Sequence, residues 1–244
     1  MTAYEKNKRL LIAGITGCLL YVAGDFLFAA TGKGQTTESI GFMVRIAYLE
    51  MGTWRMVLSI ICGFAGTLLY YMGFHCMYGL LKKRVERLED VKNLKWIRLF
   101  RVAYITGTVS WAYVHSMFMT VALIFKYVYQ NYGDMQTAAD IANRVFYANA
   151  APMLIAYLLC DIGLTVIMIA LVWKRVMPLK STGARIIATL CNPMVLPGVI
   201  GNLLTLFPWP VNQLDHGTES FGHALVLMLG LILLKEMNRS GEID

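Results

Sequence analysis

Strongly polar residues interrupt stretches of this sequence that are otherwise almost free of charge. They are Asp25, His75, His115, Asp161, Asn202, Glu219 and His223. A charged side chain at membrane depth costs several kcal/mol and usually faces the interior of a helix bundle or a water-filled cavity. Every apolar stretch supplies at least one such group. We therefore predict that most of them share one central cavity, with His75 in a separate environment nearer the cytoplasmic side.

The composition of this set fits a metal site. Glu219 and His223 are four residues apart and share a helix face. With His115 and Asp161 opposite, they form a set of two imidazoles and two carboxylates, which suits a divalent metal such as zinc with one position open for water. Zinc makes its bound water acidic enough to act as a nucleophile near neutral pH. We therefore predict His115, Asp161, Glu219 and His223 as metal ligands; the cofactor is otherwise unknown.

The same residues suit acid–base chemistry without a metal, because a His–Asp pair can move protons at a reacting bond. The predicted catalytic residues are His115, Asp161 and His223. The predicted substrate-binding residues are Asp25, Trp111, Asn202 and Glu219. The leading hypothesis is an intramembrane enzyme, such as a hydrolase, that acts on a lipid or an amphipathic small molecule.

Two other hypotheses stay open. The first half of the chain carries Asp25 and then His115, and the second half carries Asp161 and then His223. Oppositely oriented halves are common in secondary transporters, so Asp25 and Asp161 are also candidates for proton or cation coupling, in a protein expected to form a homodimer. In the third hypothesis these residues only hold helices together, and Glu219 is a wet residue at the membrane interface.

The elements that position these residues follow from composition. Of 244 residues, 57% are apolar and only 15% are charged, whereas a soluble domain of this length needs more polar surface. About 20 apolar residues cross a bilayer as a helix. We predict an all-α polytopic membrane helix bundle, a single domain over residues 1–244. Its six transmembrane helices cover about 10–30, 56–81, 100–129, 152–173, 184–207 and 217–234.

The basic residues predict the orientation. They concentrate between the second and third spans and between the fourth and fifth spans, while the loop 208–216 has no Lys or Arg. Cytoplasmic loops of membrane proteins carry such an excess. Both termini are therefore expected in the cytoplasm, and the net charge of +7 indicates membrane topology rather than a nucleic-acid partner. The five cysteines are scattered singly, which excludes a zinc knuckle or a disulfide framework.

Three shorter segments have local signals. Residues 40–51 mix apolar and charged residues, as an interfacial helix does. Residues 137–148 begin Thr-Ala-Ala-Asp, a capping-box pattern in which Asp140 reaches back to a free backbone N–H. Either segment would cover the cavity or simply seal the outer surface. Asn192-Pro193 and Pro197-Gly198 predict a kink in the fifth span, because each proline removes a backbone donor.

Two segments resemble a known group of proteins. They are Leu-Tyr-Val-Ala-Gly-Asp-Phe-Leu-Phe at residues 20–28 and Tyr-Tyr-Met-Gly-Phe-His-Cys-Met-Tyr at residues 70–78. With the six-span plan, they look like uncharacterised bacterial integral membrane proteins of similar size. The resemblance implies a bacterial cytoplasmic membrane and contact with membrane lipids, and it brings no activity.

Overall fold

The computed structural model describes residues 1–36, 38–41 and 43–243 and is predominantly helical. Its helices are α1 Ala3–Ala29, α2 Ala47–Glu50, α3 Thr53–Arg87, α4 Leu94–Tyr132, α5 Met135–Val145, α6 Ala151–Trp173, α7 Thr182–Leu190, α8 Asn202–Leu204 and α9 Thr218–Arg239. In this described part, five helical segments are long and apolar enough to cross a membrane, and they contain α1, α3, α4, α6 and α9. The protein is thus an all-α bundle of membrane-spanning helices.

The first four predicted spans and the sixth each coincide with one of these long helices. Most of the helices run several residues past the apolar stretch, and α3 reaches Arg87 although its apolar part ends near Leu81. Basic side chains are good helix formers and reach water from a helix end. The helix therefore continues where the hydrophobic signal stops.

The fifth predicted span, 184–207, is not one continuous helix. After α7 the chain turns through Asn192 and Pro193, and it continues as a π-helical turn over Pro197–Gly201 and then α8. The Asn192 side-chain amide donates to the Ala188 carbonyl (2.9 Å) and so satisfies a backbone acceptor at the end of α7. The prediction of a kink understated the effect of the two prolines, which break the helix.

The two predicted surface helices differ from what forms. Residues 40–51 begin with a two-stranded antiparallel hairpin, β1 Ser39–Ile40 and β2 Val44–Arg45, in which Ile40 pairs with Val44. Only α2 is helical there, because Gly41, at φ +74°, turns the chain. Residue 42 lies outside the described residues. At 137–148 the predicted capping box is wrong: α5 begins earlier, and Asp134 accepts from the Gln136 backbone N–H (3.0 Å).

Small residues set the contact between α1 and α3. A Cβ placed on Gly14 would lie 2.6 Å from the Gly73 Cα, so these backbones approach as closely as glycine permits. About three turns further along α1, Ser59 Oγ donates to the Gly24 carbonyl (2.9 Å). Close approach gives membrane helices the van der Waals contact that replaces hydrophobic driving force in lipid. The contact holds α1 and α3 antiparallel.

The remaining long helices complete the bundle around this pair. Helix α4 packs against α3, α6 against α4, and α9 against α1. Arg55 fixes the end of α1, since its guanidinium donates to the carbonyls of Leu27 (3.0 Å) and Ala30 (2.7 Å). Those carbonyls have no partner inside the helix. The outer part of α1, which carries Asp25, is thereby held in place.

Candidate intramembrane polar site

A small cavity of about 110 Å³ lies among α1, α4, α6 and α9. Its lining residues are Tyr21, Asp25, Trp111, His115, Tyr157, His216, Glu219, Ser220 and His223. The helices bring together polar side chains that are up to 202 positions apart (Tyr21 to His223) in a sequence of 244 residues. Two Asp–His pairs account for most of its chemistry.

The first pair is Asp25 with His115. The His115 Nε2 lies 3.6 Å from the Asp25 Oδ1, and their side chains are 19% and 23% exposed. Ser220 Oγ donates to the other carboxylate oxygen (2.7 Å), which ties α9 to α1. The Tyr21 ring stacks on the imidazole at 4.9 Å between centroids, and Gly63 lies against the His115 Cβ. This pair is oriented from several sides and faces the cavity.

The second pair, Asp161 with His223, lies deeper. The His223 Nε2 is 3.4 Å from the Asp161 Oδ1, and their side chains are only 3% and 1% exposed. The Trp111 ring packs edge-on against the imidazole at 4.2 Å, and the Tyr70 hydroxyl lies 3.5 Å from Nδ1. The aromatic rings hold the imidazole in one orientation and exclude solvent from this pair.

Glu219 joins the second pair. Each of Asp161, Glu219 and His223 offers one ligand atom, and these atoms all lie within 4.8 Å of one another. The Tyr157 hydroxyl donates to the Glu219 Oε1. Three oxygen and nitrogen donors at this separation could hold a tetrahedral ion, and one position would then be open for water.

Several buried polar atoms of this group have no hydrogen-bond partner among the described residues. They are both carboxylate oxygens of Asp161, the His223 Nε2 and the Trp111 indole nitrogen. A buried polar group without a partner costs about 1–3 kcal/mol, so such groups are rare in native structures. Their clustering is the chemical signature expected around a bound cation, proton or water.

The predicted site residues fall into three groups. Of the four residues predicted as metal ligands, Asp161, Glu219 and His223 lie close together, whereas His115 lies with Asp25 and outside that group. Trp111 lines the cavity. Asn202 is exposed and donates to the Gly198 carbonyl (2.8 Å), and it does not line this cavity. The predicted convergence therefore fails for Asn202, because the break in the fifth segment turns it away.

His75 lies apart from the cavity, as predicted. Its Nδ1 is 2.9 Å from the Tyr104 hydroxyl, and its ring stacks on Tyr71 at 5.6 Å. This contact joins α3 to α4 and satisfies one nitrogen of the imidazole.

Sequence reasoning missed the two tyrosines of the cavity, although a signal for them exists. Tyr21 precedes Asp25 by four residues, and Tyr157 precedes Asp161 by four. Residues four apart share a helix face, so each half of the chain presents a Tyr–Asp pair toward an imidazole. The structure thus pairs Asp and His within each half, Asp25 with His115 and Asp161 with His223.

Comparison with known proteins identifies a family for this chain but no activity. No curated protein and no solved structure matches this chain. One family model matches, over residues 1–237, and it is described as a family of unknown function. This agrees with the resemblance to uncharacterised membrane proteins and adds no activity. The chain accordingly belongs to the family of unknown function DUF6796.

Proposed function

We propose that this protein is an intramembrane enzyme that binds a divalent metal such as zinc through Asp161, Glu219 and His223. Its reaction is the hydrolysis of a bond in a lipid or an amphipathic small molecule. The observation that carries the proposal is that ligand atoms of these three residues lie within 4.8 Å of one another in a buried place. A metal would also satisfy the Asp161 oxygens and the His223 nitrogen that otherwise lack partners.

The residues around this centre have distinct roles in the proposal. The metal supplies Lewis acidity and an acidified water. His115, held by Asp25 at 3.6 Å, receives or returns a proton at the cavity wall. Ser220 keeps the Asp25 carboxylate oriented. Tyr157 orients Glu219, as outer-shell groups orient metal ligands in general.

The size of the cavity restricts the substrate class. Pockets that enclose a drug-sized molecule measure about 300–1,000 Å³, and this one measures about 110 Å³. It admits water and one reacting group, such as an ester, amide or phosphoryl group. The remainder of the molecule stays outside the cavity, which favours a substrate whose long apolar part lies in the bilayer.

Metal content of the purified protein tests this proposal. We expect elemental analysis to find about one zinc, or another divalent ion, per chain, as in a three-ligand catalytic site. Asp161→Asn and His223→Gln should lose most of it. Asp140→Asn is the matched control, because Asp140 is exposed on α5 and lies outside the cluster. A metal content that is zero in the wild type, or equal in all variants, rules out the metal centre.

The enzymatic part needs a separate assay. Incubation with defined phospholipid and ceramide vesicles, followed by mass spectrometry of released fatty acids and headgroups, should show turnover. His115→Gln should abolish that turnover while metal content remains, since His115 lies outside the ligand group. Loss of metal together with turnover would place His115 among the ligands instead.

A second candidate function is proton- or cation-coupled transport. It is favoured by the two Asp–His pairs, one built by each half of the chain. In proteoliposomes loaded with a pH-sensitive dye, a coupled transporter moves protons in response to an imposed gradient, and Asp25→Asn and Asp161→Asn abolish this flux. If these variants alter stability alone and leave metal content, turnover and flux unchanged, the polar residues only hold the helices together.

The proposal includes six crossings with both termini on the cytoplasmic side. Support comes from the ends of the helices: Lys174 and Arg175, after α6, share a surface pocket with Leu88, Glu89, Asp90 and Lys92, after α3. Gly217, before α9, lies against Val22 and Phe26 at the opposite end. In the proposal, the segment between them returns across the bundle as a broken fifth crossing. Reporter fusions after Arg87, Lys174 and Asp244 should all be cytoplasmic, and one after Gly133 should not.

A further inference from the structure

A second concave site lies far along the bundle from the polar cluster, where α3 and α4 approach their connecting turn. The groove measures about 710 Å³. Three cations line it: Lys82 from α3, and Arg98 and Arg101 from α4. Volumes of this order accommodate a small-molecule ligand. None of these residues takes part in the proposed reaction.

The groove carries an excess of positive charge. Glu86 is its one lining carboxylate and is engaged by Lys82 at 3.6 Å. Within the described part of the chain, neither Arg98 nor Arg101 forms an ion pair with a carboxylate, and Arg101 lies 5.7 Å from the centre of the Tyr78 ring. Guanidinium groups bind phosphate through paired N–H donors and tolerate partial desolvation. The groove therefore presents two exposed phosphate-binding side chains and a third cation.

The wall of the groove changes from basic to apolar along α4. From Leu94 to Thr106 it extends for roughly 18 Å at the rise of an α-helix. Arg98 and Arg101 come first, and Val102 and Ile105 continue toward the middle of the bundle. Val102 is 61% exposed on a helix that crosses the membrane. A phosphate group beside the arginines would thus have its apolar chains beside Val102 and Ile105.

We propose that this groove is a binding site for an anionic phospholipid of the leaflet next to the α3–α4 turn. The phosphate lies against Lys82, Arg98 and Arg101, and one acyl chain follows Val102 and Ile105. Charge complementarity selects the anionic headgroup, and the continuation of the groove into an apolar wall selects a lipid over a free anion.

Native mass spectrometry of the full-length protein tests the site, with phosphatidylglycerol and phosphatidylcholine of the same acyl chains as probes. Phosphatidylglycerol should bind more tightly. Each basic residue near a membrane surface contributes about a fivefold change in affinity for anionic lipid. The double variant Arg98→Gln/Arg101→Gln should therefore lose about 25-fold in affinity for phosphatidylglycerol and little for phosphatidylcholine. Arg98→Lys/Arg101→Lys should retain most of the preference.

The matched control removes the same charge elsewhere on the same end of the molecule. Lys83→Gln/Lys180→Gln changes two exposed residues that do not line the groove, and its affinity should stay near that of the wild type. Equal loss in both double variants would mean a diffuse charge effect and would overturn the site. Equal binding of both lipids, or full displacement of phosphatidylglycerol by millimolar inorganic phosphate, would overturn the choice of ligand.

Discussion

Burial of the Asp161–His223 pair costs free energy, because polar atoms of both side chains are removed from water. Both side chains are almost completely buried, yet their contact of 3.4 Å is long and their facing atoms have no hydrogen-bond partner in the described chain. Hydrogen bonds between membrane helices contribute about 0.6 kcal/mol on average. That gain is smaller than the cost of unpaired buried atoms, so a cation, proton or water that satisfied these atoms would stabilise the pair.

A double-mutant cycle measures the pair directly. With chelator present, Asp161→Asn and His223→Gln should each lower the free energy of unfolding by about 1–3 kcal/mol, because each removes one member of the buried ion pair and its attraction for the other. The double variant should lose less than the sum, with a coupling energy of about 0.5–3 kcal/mol. Unfolding in mixed detergent micelles, followed by tryptophan fluorescence, provides the measurement. Strict additivity would show that the two side chains do not interact.

The Tyr157 hydroxyl gives a prediction about positioning. Tyr157→Phe removes the donor to Glu219 and leaves the ring in place. Loss of such an outer-shell contact typically weakens metal binding by about 10–100-fold. Zinc titration against a competing chelator measures the affinity. Tyr147→Phe is the control, since Tyr147 is 56% exposed and does not line the cavity; an equal effect of both variants would exclude a positioning role.

At this scale the sequence predicted which polar residues lie inside the bundle better than how they pair. The cost of charge in the membrane identifies Asp25, His115, Asp161 and His223 without any structure. Their grouping depends on the rotation of each helix about its axis, which the aromatic packing around Trp111 determines. No local pattern contains that rotation, so the sequence groups His115 with the predicted metal ligands, whereas in the structure it lies with Asp25.

Among the elements, the crossing of α1 and α3 is the contact on which the site most depends. Helix α1 carries Asp25, and α3 carries Gly63 and Tyr70 behind the two imidazoles. Both backbones are so close at Gly14 and Gly73 that a methyl group would overlap main-chain atoms, 2.6 Å away. A main-chain neighbour cannot rotate aside as a side chain can. The helices would have to separate.

Gly73→Ala should therefore destabilise the bundle by about 1–3 kcal/mol, the usual cost of overpacking. Gly79→Ala, in the same helix, has nothing within 4 Å of the new methyl group. It should be neutral or slightly stabilising, because alanine favours the helix by up to about 1 kcal/mol over glycine. Thermal unfolding of both variants in the same detergent separates the two effects. Similar losses would mean that helix propensity, and not close packing, governs this position.

The elements also show where sequence reasoning reached its limit. Long apolar periodic stretches were recognisable, and α1, α3, α4, α6 and α9 lie where the hydrophobicity placed them. The break after α7 is stabilised by tertiary packing: a Cβ on Gly222 would lie 2.7 Å from the Pro193 Cα. The prolines predict a kink. The full break also depends on packing against α9, which lies further along the sequence and which no local pattern indicates.

For the molecule as a whole, contacts between distant segments place both chain ends together. Asn7, near the start of α1, accepts a contact from the Cys76 thiol at 3.5 Å through its backbone carbonyl. Glu242, after α9, pairs with Arg84, and Arg87 lies 3.8 Å from the same carboxylate. Both termini therefore lie beside the basic α3–α4 turn. This placement agrees with the proposed even number of crossings.

The ion pairs at this end differ in burial, and their effects on stability should differ accordingly. Glu242 is 2% exposed, whereas Lys82 and Glu86 are 51% and 54% exposed. Glu242→Gln should lower the free energy of unfolding by about 1–3 kcal/mol, because two arginines lose their buried acceptor. Glu86→Gln should change it by less than about 0.5 kcal/mol, as exposed i,i+4 pairs do. Limited proteolysis should cleave the C-terminal tail faster in Glu242→Gln alone. Equal cleavage of both variants would show that the tail does not depend on this carboxylate, and that the termini are held together by helix packing.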